Sequence, residues 1–154
     1  MSAQPDQLWQ LHPLHADHLQ QVLAIERQCY EFPWSETIFK DCLRVGYSAW
    51  VVCDARGGVL AYALMSMAAG EAHVLNICAA PAQQRQGLAR FLLRHLLMVA
   101  RAASVELMLL EVRVSNVAAQ ALYTQFGFKT LGLRKAYYPA RGGREDAIVL
   151  GLDL

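Results

Sequence analysis

A chain of 154 residues, 55% hydrophobic and 18% charged, has the length of one domain and the composition of a packed globule rather than a disordered segment. Its formal net charge of +1 lacks the basic excess of a domain built to hold nucleic acid, so no direct nucleic-acid partner is expected. No apolar run nears the ~18 residues of a membrane span. The start, "MSAQPDQLWQ", has neither the basic nor the apolar region of a secretory signal. A soluble, cytoplasmic protein with no membrane partner is expected.

The first strand is read in "LWQLHPL" (8–14). From Asp17 to Cys29, the positions Leu19, Val22, Leu23 and Cys29 fall near helical spacing, which predicts a helix. Pro33 breaks the chain, Ser35 can cap, and Ile38, Phe39 and Cys42 are expected on one face of a second, short helix. "YSAWVVCD" (47–54) and "VLAYALMSM" (59–67) flank Arg56-Gly57-Gly58, a hairpin signal. "AHVLNICAA" (72–80) is apolar enough for a central strand. A helix from about Gly87 to Ala103 carries a stripe of Leu88, Phe91, Leu92, His95, Leu96 and Val99. "VELMLLEV" (105–112) is a strand, 116–127 a helix stopped by Gly127, and 128–137 and 147–153 are closing strands.

The central order strand-helix-strand implies a parallel pair with a right-handed crossover, while the hairpins imply antiparallel neighbours. The expected fold is α/β: one domain over 1–154, with helices flanking a mixed, mostly antiparallel sheet of six to seven strands. Cys29, Cys42, Cys53 and Cys78 are scattered, and the five His do not cluster with them, so unpaired thiols and no metal site are expected.

The junction "PAQQRQGLARFLLRHLL" (81–97) ends a central strand and opens an amphipathic helix. A helix N-terminus there offers unsatisfied N–H groups and the positive end of the dipole to an anion. Gly87 lets a phosphate approach the backbone, and Arg85 adds charge. The pattern is neither G-x-x-x-x-G-K-[ST] nor G-x-G-x-x-G, so an ATPase or a dinucleotide fold is not supported.

Gln84-Arg85-Gln86-Gly87-Leu88-Ala89 resembles the Q/R-x-x-G-x-G/A motif of the GNAT acyltransferases. "FPWSETIF" (32–39), "LNICAAPAQQRQGLARFLL" (75–93), "LLEVRVSNVAAQALYTQFGF" (109–128) and "YYPARGGREDAIVLGL" (137–152) extend the resemblance to the RimI type, which acetylates the N-terminal alanine of a small-subunit ribosomal protein. The resemblance implies the GNAT fold, acetyl-CoA as cosubstrate, no metal, and the N-terminus of a basic ribosomal protein as partner. A monomer or weak homodimer is expected.

By the same resemblance Arg85, Gln86, Gly87, Leu88, Ala89 and Arg90 would hold the pyrophosphate, and Ile77, Cys78 and Ala79 the pantetheine arm and thioester carbonyl. Asn116 would touch the coenzyme, and it also suits a plain N-cap. Glu111 is the candidate general base, against a strand-end carboxylate turned to solvent. Tyr123 is the candidate acid for the departing thiolate, against a core tyrosine. Cys78 raises an acyl-cysteine route, but His73, five residues away, falls on the opposite face of a regular strand, so direct transfer is expected. Glu31 and Trp34 on one side, and Tyr137, Tyr138 and an Arg141–Asp146 loop on the other, are expected to border the acceptor, with Glu31, Glu145 and Asp146 suiting a basic peptide. Acetylation of lysines or of a small-molecule amine, and a non-catalytic coenzyme A binder, are the alternatives. The presence of Glu111 and Tyr123 argues against the last.

Overall fold

Among the described residues, seven strands and four α-helices build the architecture. The computed structural model describes residues 9–154, so Leu8 and the first eight residues of the segment read for a signal lie outside the described residues. The strands are β1 (Gln10–Pro13), β2 (Ser48–Cys53), β3 (Val59–Ala68), β4 (Glu71–Ala79), β5 (Leu107–Arg113), β6 (Lys129–Ala140) and β7 (Gly143–Asp153). The helices are α1 (Leu19–Cys29), α2 (Glu36–Arg44), α3 (Leu88–Ala102) and α4 (Val117–Gln125). The sheet order is β1-β2-β3-β4-β5-β7-β6. β4 and β5 pair in parallel, Glu71–Val74 against Leu107–Leu110, while β1–β2, β2–β3, β5–β7 and β6–β7 are antiparallel. The expected mixed sheet with flanking helices is therefore present.

Contacts divide the chain into two units, one with residues up to Ser66 and Leu75–Leu97, the other with Met67–Val74 and Met98–Leu154. In the first, Leu19, Val22 and Leu23 of α1, Phe39 of α2, Val51 of β2, and Tyr62 and Leu64 of β3 form the core. Ser35 caps α2, its hydroxyl accepting from the Ile38 N–H at 3.3 Å. Ile38 itself is 42% exposed, so the buried face of α2 is Phe39 and Cys42 alone. On α3, Leu88, Leu92, Leu93 and Leu96 are buried, whereas Phe91 and His95 are half-buried. The apolar stripe is thus rotated from the expected one toward Leu93.

A polar network sits inside this core. Glu26, 1% exposed, accepts from the Tyr62 hydroxyl at 2.6 Å, the Trp34 N–H at 2.8 Å and the Asn76 amide at 2.9 Å. A buried carboxylate with three donors is satisfied without a cation, and removing it would orphan groups worth about 1–3 kcal/mol each. The four thiols are unpaired, as expected; Cys42, Cys53 and Cys78 are buried and Cys29 half-buried.

In the second unit, Met108, Leu110 and Val112 form the buried face of β5, and Tyr123, Phe128, Ala147 and Leu150 are buried too. Asn116 caps α4 by accepting from the Ala119 N–H at 3.1 Å. Gly127, at φ +96°, follows the helix in the left-handed region that glycine favours. The closing strands are longer than expected. β6 and β7 run to Ala140 and from Gly143, which turns most of the expected Arg141–Asp146 loop into strand. The cause is pairing of Tyr138 with Glu145 and Pro139 with Arg144, which continues the ladder to the turn.

His95 supplies a test of the first unit. Its ring meets Trp50 edge-on at 4.2 Å, and its Nε2 is buried with no hydrogen-bond partner. Burial holds the imidazole below its ordinary value. The unfolded chain therefore binds this proton first, so stability falls as pH drops through the ordinary imidazole value near 6.5 and stops falling once the folded group protonates. Replacing His95 by Leu should shrink the loss of thermal stability between pH 7.5 and pH 5. Melting curves with the same acid loss in both proteins would refute the assignment.

Candidate active site

The first unit holds the candidate anion seat. After β4 the chain makes a short turn at Pro81–Gln83 and then takes two left-handed residues, Arg85 at φ +67° and Gly87 at φ +89°. A side-chain-bearing residue in that region is uncommon and marks a constrained junction. The Gly87 carbonyl accepts from the Phe91 N–H at 2.9 Å, so the amides of Leu88 and Ala89 head the helix without an acceptor inside it. A Cβ built on Gly87 meets no atom within 4 Å. Open space beside free helix-head amides is what a phosphate needs. Arg85, Gln86 and Gly87 are exposed, and Ala89 and Arg90 half-buried. Gln84 closes the turn instead, its amide donating to the Ala79 carbonyl at 3.3 Å.

Ile77, Cys78 and Ala79 lie in β4 beyond the four positions that pair with β5. The Tyr30 hydroxyl reaches Asn76 Oδ1 at 3.2 Å and the Ile77 carbonyl at 3.5 Å, tying this stretch to the end of α1. Burial, followed by the neighbouring Cys29, pushes the Cys78 thiol up, so it stays protonated at neutral pH. It also points to the β4 face opposite that of His73, as the strand period requires.

The second unit holds the candidate acid and base. Glu111 is only 8% exposed by side chain, not turned to solvent, and its Oε1 stands 2.7 Å from His73 Nε2. His73 is opposite Leu109 in the parallel register, so both it and Glu111 project from one face of the sheet. Sequence reasoning does not find this partner, because the parity of two residues on different strands depends on a register that no local pattern states. Tyr138 belongs to the same group: its phenol is pushed up to about 12 by burial first and by Glu111 next. The Arg113 guanidinium lies 4.5 Å from the Tyr138 ring centre and bonds Glu145 Oε1 and the Pro139 carbonyl, each at 3.0 Å. Tyr123 is buried, edge-on to Phe128 at 5.7 Å, and burial raises its phenol, which therefore keeps its proton at neutral pH.

The sequence matches the Acetyltransferase (GNAT) family over residues 19–128. The chain belongs to that family. As a GNAT acetyltransferase it is an acetyl-CoA-dependent N-acyltransferase. It is 38% identical over 141 residues to the ribosomal protein bS18-alanine N-acetyltransferase of Escherichia coli K12, covering 92% of this chain and 95% of that one. The crystal structure of the ribosomal-protein-S18-alanine N-acetyltransferase from Escherichia coli superposes with a TM-score of 0.88 at 37% identity, covering 94% of this chain and 93% of the other. Arabidopsis thaliana NAA60, solved in complex with acetyl-CoA, shares the fold at a TM-score of 0.86 and 13% identity, with 95% and 98% covered.

The residues expected to border the acceptor are placed unevenly in this GNAT acetyltransferase. Trp34 is half-buried, 5.2 Å from the Phe39 ring, with its N–H on Glu26, so it anchors its loop. Glu31 and Phe32 are exposed on that loop. Tyr137 is exposed and edge-on to Tyr138 at 4.9 Å. Glu145 and Asp146 do not offer free charge to a peptide. Glu145 Oε2 accepts from the Ser115 N–H at 2.8 Å, which with Arg113 holds its carboxyl below the usual range. Asp146 Oδ1 accepts from the Ala136 N–H at 2.8 Å. Asn116 is exposed, its oxygen in the cap. Among the described residues no group of three or more His, Cys, Asp or Glu is placed to hold a metal ion, and no helix is long and apolar enough to cross a membrane.

The anion seat is testable at Gly87. Gly87→Ala introduces only the strain of a side chain at φ +89°, whereas Gly87→Glu adds bulk and negative charge at the helix head. Calorimetry should show acetyl-CoA binding weakened at least about tenfold more by Glu than by Ala, with both variants folded by circular dichroism. Equal affinities would remove the assignment.

Proposed function

We propose that this acetyltransferase moves the acetyl group of acetyl-CoA directly to the α-amine of an N-terminal alanine on a small-subunit ribosomal protein of the bS18 kind. The observation that carries the chemistry is the buried, partnered carboxylate of Glu111 at the end of β5. The similarity to the Escherichia coli enzyme along almost the whole of both chains supports the acceptor. An acceptor of that kind implies work in the cytoplasm.

Each group has its own part in the transfer. The α3 head and Arg85 hold the pyrophosphate. Backbone groups of Ile77, Cys78 and Ala79 bind the pantetheine arm and polarise the thioester carbonyl, where a positioned N–H is worth most as negative charge develops on oxygen. Glu111 takes the proton that the attacking amine must lose. Tyr123 keeps its proton firmly, so it serves by donating a hydrogen bond to the departing thiolate. The acyl-cysteine route is disfavoured by the protonated, buried Cys78.

An α-amine suits a single carboxylate. With a pKa near 7.8, roughly one α-amine in seven is free base at pH 7, against about one in 2,500 for lysine near 10.4. Glu111→Gln should lower turnover about 10²–10⁴-fold at neutral pH, and the loss should shrink as pH rises and the amine arrives deprotonated. Parent-like turnover at every pH would sink the role of Glu111.

Acceptor choice is checked with a bS18 N-terminal peptide and acetyl-CoA, the modified nitrogen being mapped by tandem mass spectrometry. The α-amine of alanine should carry the acetyl group, and a peptide blocked there should give little product although its lysines remain. Dominant lysine acetylation would overturn the acceptor while leaving the family untouched.

A further inference from the structure

The contact of His73 with Glu111 has no part in the transfer as described above. We infer that His73 is a positioning residue for Glu111: its Nε2–H donates to Oε1, fixes the carboxylate and leaves Oε2 to accept the proton of the amine. The inference rests on Glu111 being the base. It adds a residue that acts through Glu111.

Three observations carry it. The Nε2–Oε1 distance is 2.7 Å, short for a nitrogen–oxygen hydrogen bond and in the range of charge-assisted ones. A proton must lie on that line, because an imidazole lone pair facing a carboxylate oxygen would repel it. The side-chain exposures differ: 8% for Glu111 and 35% for His73, so the inner partner is the carboxylate and the outer one meets water. The parallel register then places both on one face, with His73 opposite Leu109 and Glu111 two residues further along. A carboxylate able to rotate would present either oxygen to the amine and spend time in neither geometry. One fixed donor removes that freedom, which is how a neighbouring group sharpens a base.

The test compares His73→Leu, His73→Gln, Glu111→Gln and the His73→Leu/Glu111→Gln double variant, using acetyl-CoA and the bS18 peptide. His73→Leu should lower kcat about 10- to 100-fold while the KM of each substrate moves less than about twofold. His73→Gln, whose amide also donates from its terminal nitrogen, should recover most of kcat at neutral pH. In the Glu111→Gln background His73→Leu should add nothing further. Full kcat in His73→Leu, a Gln variant no better than Leu, or an undiminished His73→Leu effect without Glu111 would each overturn the inference. If the Leu variant does not fold, His73→Ala takes its place, and full kcat in that variant does so alone. The two readings separate cleanly. Loss of turnover in Glu111→Gln with none in the His73 variants keeps the base and removes its partner. Parent turnover in Glu111→Gln removes both.

Discussion

The four-residue parallel ladder of β4 and β5 is the constraint on which the candidate active site depends. Two parallel strands cannot be joined by a tight turn, so the chain must return over the sheet before it starts β5. That return is α3, and its first turn therefore lies just beyond the carboxyl end of β4. The free amides at the helix head follow from this connection, and the left-handed Gly87 lets the chain enter the helix with open space beside them. The same ladder sets parity. With His73 opposite Leu109, Glu111 and His73 share a face, whereas a shift of one residue would put them on opposite faces.

Inside the first unit, buried polarity is handled without charge pairing. Glu26 is answered by a hydroxyl, an amide and a backbone N–H. A lone buried charge would be costly, but three donors compensate it, and the geometry they demand specifies one arrangement of α1, β3, β4 and the Trp34 loop. The neighbouring Cys78 has burial and a second thiol beside it, which hold its proton in place. The unit thus treats Glu26 as an anchor and Cys78 as packing.

The second unit handles charge differently. Arg113, Glu145 and the Ser115 N–H satisfy one another, and Asp146 is bonded to the Ala136 N–H. Acidic residues that looked available for a basic peptide are engaged within the protein. Glu111 is bonded to His73, and the phenols of Tyr123 and Tyr138 are raised by burial.

The elements were legible in the sequence because their signals are local. Leu19, Val22 and Leu23 follow a helical period, Ser35 and Asn116 stand at cap positions, and Gly127 ends α4, so propensity, capping and turn chemistry each act within a few residues. The strand-helix-strand order implied the parallel pair, and the junction at Arg85–Ala89 was readable as an anion seat because helix-head amides are free in any helix. What the tertiary structure decided is non-local. Register brought His73 to Glu111, ladder pairing drew Glu145 and Asp146 into β7, and packing against the core left Ile38 outside while it turned Leu93 inward. A single side chain carries its chemistry in its name, but its burial and partners belong to residues tens of positions away. Only their packing determines which proton it holds.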